Sequence, residues 1–174
     1  PPAPVQRDVR RRLTPRPRRR RGIHYVDPVA TPEELTAYVR TMIPVFDAMQ
    51  VEVVEAGRTT VAARIPAGPN VNHFGAIYAG SLFSVAEVLG GLFASTSLVL
   101  ENAVPLVKQL TIDFLRPATT DVTARASLTE DTIARVLAET EAAGKSDFEL
   151  VTEVTDEAGT VVARTTGQYQ LRRF

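Results

Sequence analysis

The hydrophobic pattern of this chain is dominated by residues 72–95, NHFGAIYAGSLFSVAEVLGGLFAS, a long run with a single acidic residue. At about 100° per residue, the run predicts one long helix with two unlike faces. The broad apolar face indicates burial and carries Leu82, Val85, Ala86, Leu89, Leu92 and Phe93. The opposite face is a narrow stripe of small residues around one carboxylate: Gly80, Ser84, Glu87, Gly91 and Ser95. We therefore expect this stripe to admit a ligand or another backbone beside Glu87.

Glu87 is a candidate functional residue because an unpaired carboxylate is costly to bury. A structural carboxylate or a contact at a dimer seam explains the same pattern, and spacing alone leaves these alternatives open. A membrane span is a further alternative, since residues 76–100 are about as long as a bilayer crossing requires. A carboxylate near the centre of a span costs about 2.5–3.5 kcal/mol, however. Because strand-like segments flank the helix on both sides, we expect a core helix and no membrane span.

The flanking segments predict an α+β domain. A helix begins at Pro32, because Thr31 is a good N-cap and Pro suits the first helical position, and Pro44 kinks or ends it near Met49. Alternating segments predict strands at residues 51–55, 59–65, 107–115, 121–129, 148–154 and 161–171, with a helix at residues 130–143. That helix is capped by Thr129 and ended by Gly144. A curved antiparallel sheet wrapped around the long central helix satisfies this order.

The amino-acid composition argues against several kinds of metal site. The 174 residues contain no cysteine and two histidines, so thiolate ligands are absent and a multi-histidine metal site is improbable; we expect no metal and no cofactor. Residues 1–21 hold nine Arg and one Asp, whereas the rest of the chain holds 11 Lys and Arg against 19 Asp and Glu. We predict a disordered Arg- and Pro-rich arm at residues 1–22 and a single domain at residues 23–174.

The arm also bears on location and partners. It lacks the apolar segment of a secretory signal, and with the absence of cysteine this favours the cytoplasm. A basic arm could contact nucleic acid, but the acidic body is a poor nucleic-acid binder, so we do not expect nucleic acid as a partner.

A motif around the central helix resembles that of a known family. Asn72, Gly75, Gly80 and Glu87 match an Asn-x-x-Gly-x-x-x-Gly-Gly pattern that is followed by an acidic helix residue. The next strand, KQLTIDFLRPA at residues 108–118, ends in a similar Pro-Ala turn. Over residues 31–172 the chain resembles the PaaI-like acyl-CoA thioesterases of the hotdog fold. It is most similar to a poorly characterised bacterial branch with Glu at the acidic position and Lys in the following strand.

The resemblance implies hydrolysis of an acyl-CoA thioester by a homodimer or homotetramer. Glu87 would act as general base or nucleophile, Asn72 would position water or the thioester, and Gly80 would help to bind the carbonyl oxygen. Backbone N–H groups at a helix start suit a developing oxyanion, and Ala79 and Gly80 are the candidates. The expected substrate-binding residues are His73, Tyr78, Ala79, Ser84 and Lys108. In such folds, Asn72 and Gly80 would serve the Glu87 of a partner chain.

Three departures from the family pattern leave a second function open. Tyr78 replaces a frequent His, Ala79 replaces the first Gly of the pair, and Val107 stands where several relatives have Ser or Thr. These changes are compatible with a non-catalytic hotdog module that binds an acyl ligand or a partner. A hotdog dehydratase fits less well, because Gly80 lies seven residues before Glu87 rather than about five. His73 is then an ordinary loop residue.

Overall fold

The computed structural model describes residues 30–174. In it, a long helix packs against a six-stranded antiparallel sheet. In this part of the chain the strands are β1 (Glu52–Ala56), β2 (Thr60–Ile65), β3 (Ala103–Phe114), β4 (Val122–Ser127), β5 (Lys145–Asp156) and β6 (Val161–Arg173). Their order in the sheet is β1-β2-β4-β5-β6-β3. The helices are α1 (Pro32–Met42), α2 (Pro44–Ala48), α3 (Ala79–Thr96) and α4 (Glu130–Ala143). The predicted hotdog architecture is confirmed; the arm predicted at residues 1–22 lies outside the described residues.

Local capping explains the two helices whose starts were predicted correctly, α1 and α4. Thr31 and Glu34 form a reciprocal capping box at the start of α1, with Pro32 in the first turn. Thr129 caps α4 through the backbone N–H of Thr132. Gly144 ends α4 with φ of 76°, a left-handed conformation that glycine adopts without strain. The predicted bounds of α4 are confirmed in full.

The start of the central helix differs from the prediction. The predicted helix begins at Asn72, whereas α3 begins at Ala79. The carboxamide oxygen of Asn72 accepts hydrogen bonds from the backbone N–H groups of Phe74 (2.8 Å) and Ala76 (3.3 Å), and Gly75 has φ of 79°. This side chain therefore stabilises a turn rather than a helix. Residues 72–78 form a loop that leads into α3.

Proline and sheet pairing account for the other differences. The helix expected to kink at Pro44 or to end near Met49 is divided in two: α1 ends at Met42, and Pro44 opens α2, which ends at Ala48. Strand β3 begins at Ala103, four residues before the predicted position, and β5 begins at Lys145, three residues early. Both early segments pair with β6, so tertiary pairing extends strands whose own alternation is weak there.

The core lies between α3 and the sheet. The six residues of the predicted apolar face of α3 are all buried, and none is more than 4% exposed. Strand β4 contributes Val122, Ala124 and Ala126 from its inner face, as its alternation predicted. Within residues 30–174, α3 is also the one helix long and apolar enough to span a bilayer. Because its apolar face packs against strands and half of the helix is buried, we assign it as a core helix.

Candidate active site

Glu87 lies in the middle of α3 with its side chain half-buried. Among residues 30–174, no hydrogen bond or ion pair engages its carboxylate. Burial raises the pKa of Glu87 above its ordinary value of 4.5 because desolvation penalises the charged form. An unpaired carboxylate of this kind is typical of a general base or a nucleophile, since its basicity exceeds that of a solvated glutamate.

Two cavities meet at Glu87. The first has a volume of about 350 Å³ and is bounded by α1, α2, α3, the start of β3 and Tyr169. The second has a volume of about 340 Å³ and is lined by Phe83, Ser84 and residues 107–110 of β3. Glu87 and Val107 line both cavities. Strand β3 carries a register shift between Val107 and Gln109, an irregularity that is common beside active sites. The carboxylate is therefore accessible from an apolar side and from a more polar side.

Tyr169 on β6 is a site residue that the sequence analysis missed. Its hydroxyl donates a hydrogen bond to the backbone carbonyl of Glu87 at 3.3 Å, and its ring stacks on Phe148. A Cβ atom at Gly90 or at Gly167 would overlap the Tyr169 ring. Burial, and secondarily the charge of Glu87, raises the pKa of Tyr169 well above its usual range, so the hydroxyl remains a donor. A glycine inside a helix and another inside a strand are the sequence signals of this close approach.

The start of α3 presents unused backbone donors. Among the described residues, no acceptor pairs with the N–H groups of Ala79 and Gly80, and the N-cap residue Tyr78 makes no side-chain cap. The Tyr78 ring lies over Gly80 so closely that a Cβ atom there would overlap it. A side chain at position 80 would therefore displace the exposed Tyr78 ring, and the positive end of the helix dipole faces the loop. Donors of this kind can bind a developing oxyanion.

The loop before α3 borders a third depression, of about 460 Å³, on the side of the helix start. Asn72 and Ala79 line this depression together with residues 114–118 of the segment that follows β3. The carboxamide oxygen of Asn72 holds its turn, so the amide Nδ2 is the part of the side chain that remains to contact a ligand. The exposed His73 ring lies 3.8 Å from that of Phe74, centroid to centroid, and His73 does not line these three cavities.

Ser84 and Lys108 lie on the polar side of Glu87, in the second cavity. The Ser84 hydroxyl donates to the Gly80 carbonyl at 2.8 Å, which leaves its oxygen able to accept a hydrogen bond. Lys108 forms an ion pair with Asp147 at 3.0 Å, and both side chains are about half exposed. The charge of Lys108 is thus partly neutralised by a residue of β5.

Within the described chain, these predicted site residues form two groups. Glu87, Ser84 and Lys108 lie together with Tyr169, whereas Asn72 and the helix-start residues lie at the third depression. Eight residues separate Ala79 from Glu87 along α3, which corresponds to about 12 Å of helix. Within residues 30–174, no three His, Asp or Glu side chains are close enough together to hold a metal ion.

Comparisons with known proteins agree with this architecture. Residues 32–171 match the family model described as Domain of unknown function (DUF4442). A protein of unknown function from Pseudomonas aeruginosa, described as a probable thioesterase, is 33% identical, with a TM-score of 0.77 over 85% of this chain and 100% of its own. A putative thioesterase from Shewanella oneidensis has a TM-score of 0.72 at 19% identity, over 82% of this chain and 97% of its own.

A thioesterase from Haemophilus influenzae has a TM-score of 0.64 at 19% identity and covers 83% of this chain and 92% of its own. At this identity, the Shewanella and Haemophilus structures show the fold alone. A comparison of the chain with curated proteins found no match.

Proposed function

We propose, from the premise that this chain belongs to the DUF4442 family within the hotdog thioesterase-like superfamily, that it hydrolyses acyl-CoA thioesters. The observation that carries the proposal is the unpaired, half-buried carboxylate of Glu87 at the junction of an apolar and a more polar cavity. A thioester has the same two-sided character, because an apolar acyl chain is joined through the reactive carbonyl to a polar thiol carrier.

Glu87 acts as the general base in this proposal. It accepts a proton from water as the water oxygen attacks the thioester carbonyl, and the carbon–sulfur bond then breaks to release a carboxylic acid and a thiol. The raised pKa makes Glu87 a stronger base than a solvated glutamate. Direct attack by the carboxylate, with hydrolysis of the resulting anhydride, gives the same products.

The carbonyl oxygen requires N–H donors as negative charge develops on it. The Ala79 and Gly80 N–H groups lie about 12 Å from Glu87 within one protomer, too far to act on the same carbonyl. We therefore assign this role to the Ala79 and Gly80 N–H groups of a second copy, with Asn72 beside them. An exposed apolar patch supports association: Phe74, Phe114 and Leu115 are all more than half exposed and line the third depression together.

Strand β3 offers the geometry for this pairing. It is the last strand of the described sheet, and within residues 30–174 its outer edge is not paired by another strand from Leu106 to Phe114. A two-fold axis near Thr111 would set residue 108 of one copy opposite residue 114 of the other. The second cavity of one copy would then face the third depression of its partner. Glu87 and the helix-start donors would meet across this interface.

Release of free thiol from short, medium, long and aromatic acyl-CoA substrates tests the proposal. We expect turnover of at least one class by the wild type and a loss of about a hundredfold or more in Glu87→Ala. Absence of thiol release by folded, oligomeric protein, together with a ligand-induced rise in melting temperature, would instead favour a binding module. Cytoplasmic location is part of the same proposal and is tested by fractionating cells of the native host.

A further inference from the structure

The first cavity extends along α3, with Glu87 at one end of its helical lining, and is here called the channel. The residues of α3 that line it begin at Glu87 and end at Ser95, eight residues or about 12 Å further along the helix. Strand β3 runs back along the same channel, with Val107 near Glu87 and Ala103 towards the other end. A volume of about 350 Å³ lies within the range of small-molecule pockets.

The lining of this channel suits an unbranched hydrocarbon. Its wall on α1 and α2 is largely apolar and includes Met42, Ile43 and Phe46. Two polar groups of the wall are already engaged: Ser95 donates to the Gly91 carbonyl at 3.3 Å, and Tyr169 donates to the Glu87 carbonyl. Neither hydroxyl therefore has a proton to donate to a ligand, so hydroxyl or charged groups on a chain would recover few of the hydrogen bonds that they make to water.

Gly91 has no packing role that explains it. A Cβ atom at Gly91 would meet nothing within 4 Å, in contrast to the neighbouring Gly90, and Gly91 lines the channel. Glycine is the least favourable residue other than proline inside a helix. An open position at this point instead keeps the channel wide, four residues or about 6 Å beyond Glu87.

We infer that this channel binds a linear, saturated acyl chain of about ten carbons and that Gly91 and Ala94 determine its length. An all-staggered chain advances roughly 1.25 Å per carbon, so about 12 Å accommodates about ten carbons. The inference rests on the proposed function for the chemical class of the ligand. The carbonyl lies at Glu87 and the methyl end points towards Ser95.

Binding of 1-alkanols from four to fourteen carbons, measured by calorimetry on the full chain, tests this inference. The alkanols are neutral, so the charge of Glu87 does not repel them. We expect affinity to rise roughly fourfold per methylene and to stop rising near ten carbons. Affinity that rises without a limit, or that does not depend on chain length, would overturn the inference.

Two variants test which helix positions set the alkanol length at which affinity stops rising. Gly91→Leu blocks the channel about 6 Å from Glu87 and should move the limit to about five carbons. Ala94→Leu blocks it about 10 Å from Glu87 and should move the limit to about eight carbons. Decanol, which loses the contribution of about five methylenes, should then bind to Gly91→Leu about a thousandfold more weakly, while butanol binding changes less than threefold. Equal limits in both variants would refute the assignment.

Gly68→Leu is the matched control, because Gly68 is exposed, has open space around it and lines none of the three cavities. It should keep the wild-type limit. Folding of each variant is verified by its melting temperature before binding is compared, and Gly91→Ala replaces Gly91→Leu if the larger side chain prevents folding. Protein that binds decanol with this limit but releases no thiol from any acyl-CoA would contradict the proposed function and leave the channel assignment standing.

Discussion

The hydroxyl of Tyr169 reaches from β6 to the backbone carbonyl of Glu87 on α3, with 3.3 Å between the two oxygens. The contact is possible because Gly90 and Gly167 leave room for the aromatic ring on the helix and on the strand. Tyr169 is 2% exposed, and its ring stacks on Phe148. The residue thus fixes the distance between the sheet and the segment of helix that carries the carboxylate.

Two adjacent glycines should respond to the same substitution with opposite signs. Gly90→Ala places a methyl group against the Tyr169 ring and should destabilise the fold by about 1–3 kcal/mol. Gly91→Ala places it in open space and should stabilise the helix by up to about 1 kcal/mol. Thermal unfolding of both variants measures the difference. A stabilising Gly90→Ala would contradict the packing of Tyr169.

Removing the charge of Glu87 should raise stability at neutral pH. Its pKa is higher in the folded than in the unfolded protein, so the stability that the group contributes is complete below pH 4.5 and is lost as pH rises through the folded pKa. Each unit of pKa elevation corresponds to about 1.4 kcal/mol. Glu87→Gln should therefore unfold at a higher temperature than the wild type at pH 7, and the difference should shrink on acidification. Lower stability of Glu87→Gln at pH 7 would indicate a structural carboxylate.

The pH dependence of kcat/KM should report the same elevated pKa. A general base must be ionised, so kcat/KM should fall as pH decreases through the pKa of Glu87 in the free enzyme. Because burial raises that pKa, we expect the midpoint of the acid limb above 4.5. The measurement is kcat/KM from initial rates in well-buffered solutions across the pH range, with folding monitored at each pH. A midpoint at or below 4.5 is incompatible with Glu87 as the desolvated base.

A composite site should be restored in a mixed dimer. Glu87→Gln removes the base, and Asn72→Asp removes the amide donor while keeping an oxygen acceptor for the turn. We expect each homodimer to be impaired. A heterodimer of the two variants, isolated with two different affinity tags, contains one intact site of two and should recover about half of the wild-type rate. An inactive heterodimer would show that both residues act within one protomer.

Much of this fold is readable from the sequence because local chemistry and tertiary packing agree. Thr129 and Gly144 mark the ends of α4, and the apolar face of α3 follows directly from its helical period. The start of α3 is not readable in the same way, because an apolar run continues through the loop where the Asn72 side chain forms a turn. Strand β3 starts early because β6 pairs with it, a long-range contact without a local signal.

The site residues also differ in whether the local sequence or only the tertiary structure reveals them. Glu87 is identifiable because one carboxylate interrupts an apolar helix. Ala79 and Gly80 are instead identified through the family motif, because the predicted helix begins at Asn72 and the observed one at Ala79. Tyr169 lies 82 residues beyond Glu87 and joins it only through the sheet, so spacing does not reveal it. Lys108 reads as a free cation, whereas its ion pair with Asp147 depends on the neighbouring position of two strands.

Steady-state thiol release by Glu87→Gln, on the best acyl-CoA substrate of the wild type, is the decisive measurement of whether Glu87 is the general base. Glu141→Gln, which neutralises an exposed carboxylate on α4, serves as the matched control. We expect a kcat reduced by about a hundredfold or more in Glu87→Gln and within about twofold of wild type in the control. Equal kcat values in all three proteins would contradict this assignment and leave Glu87 without a role in the chemistry.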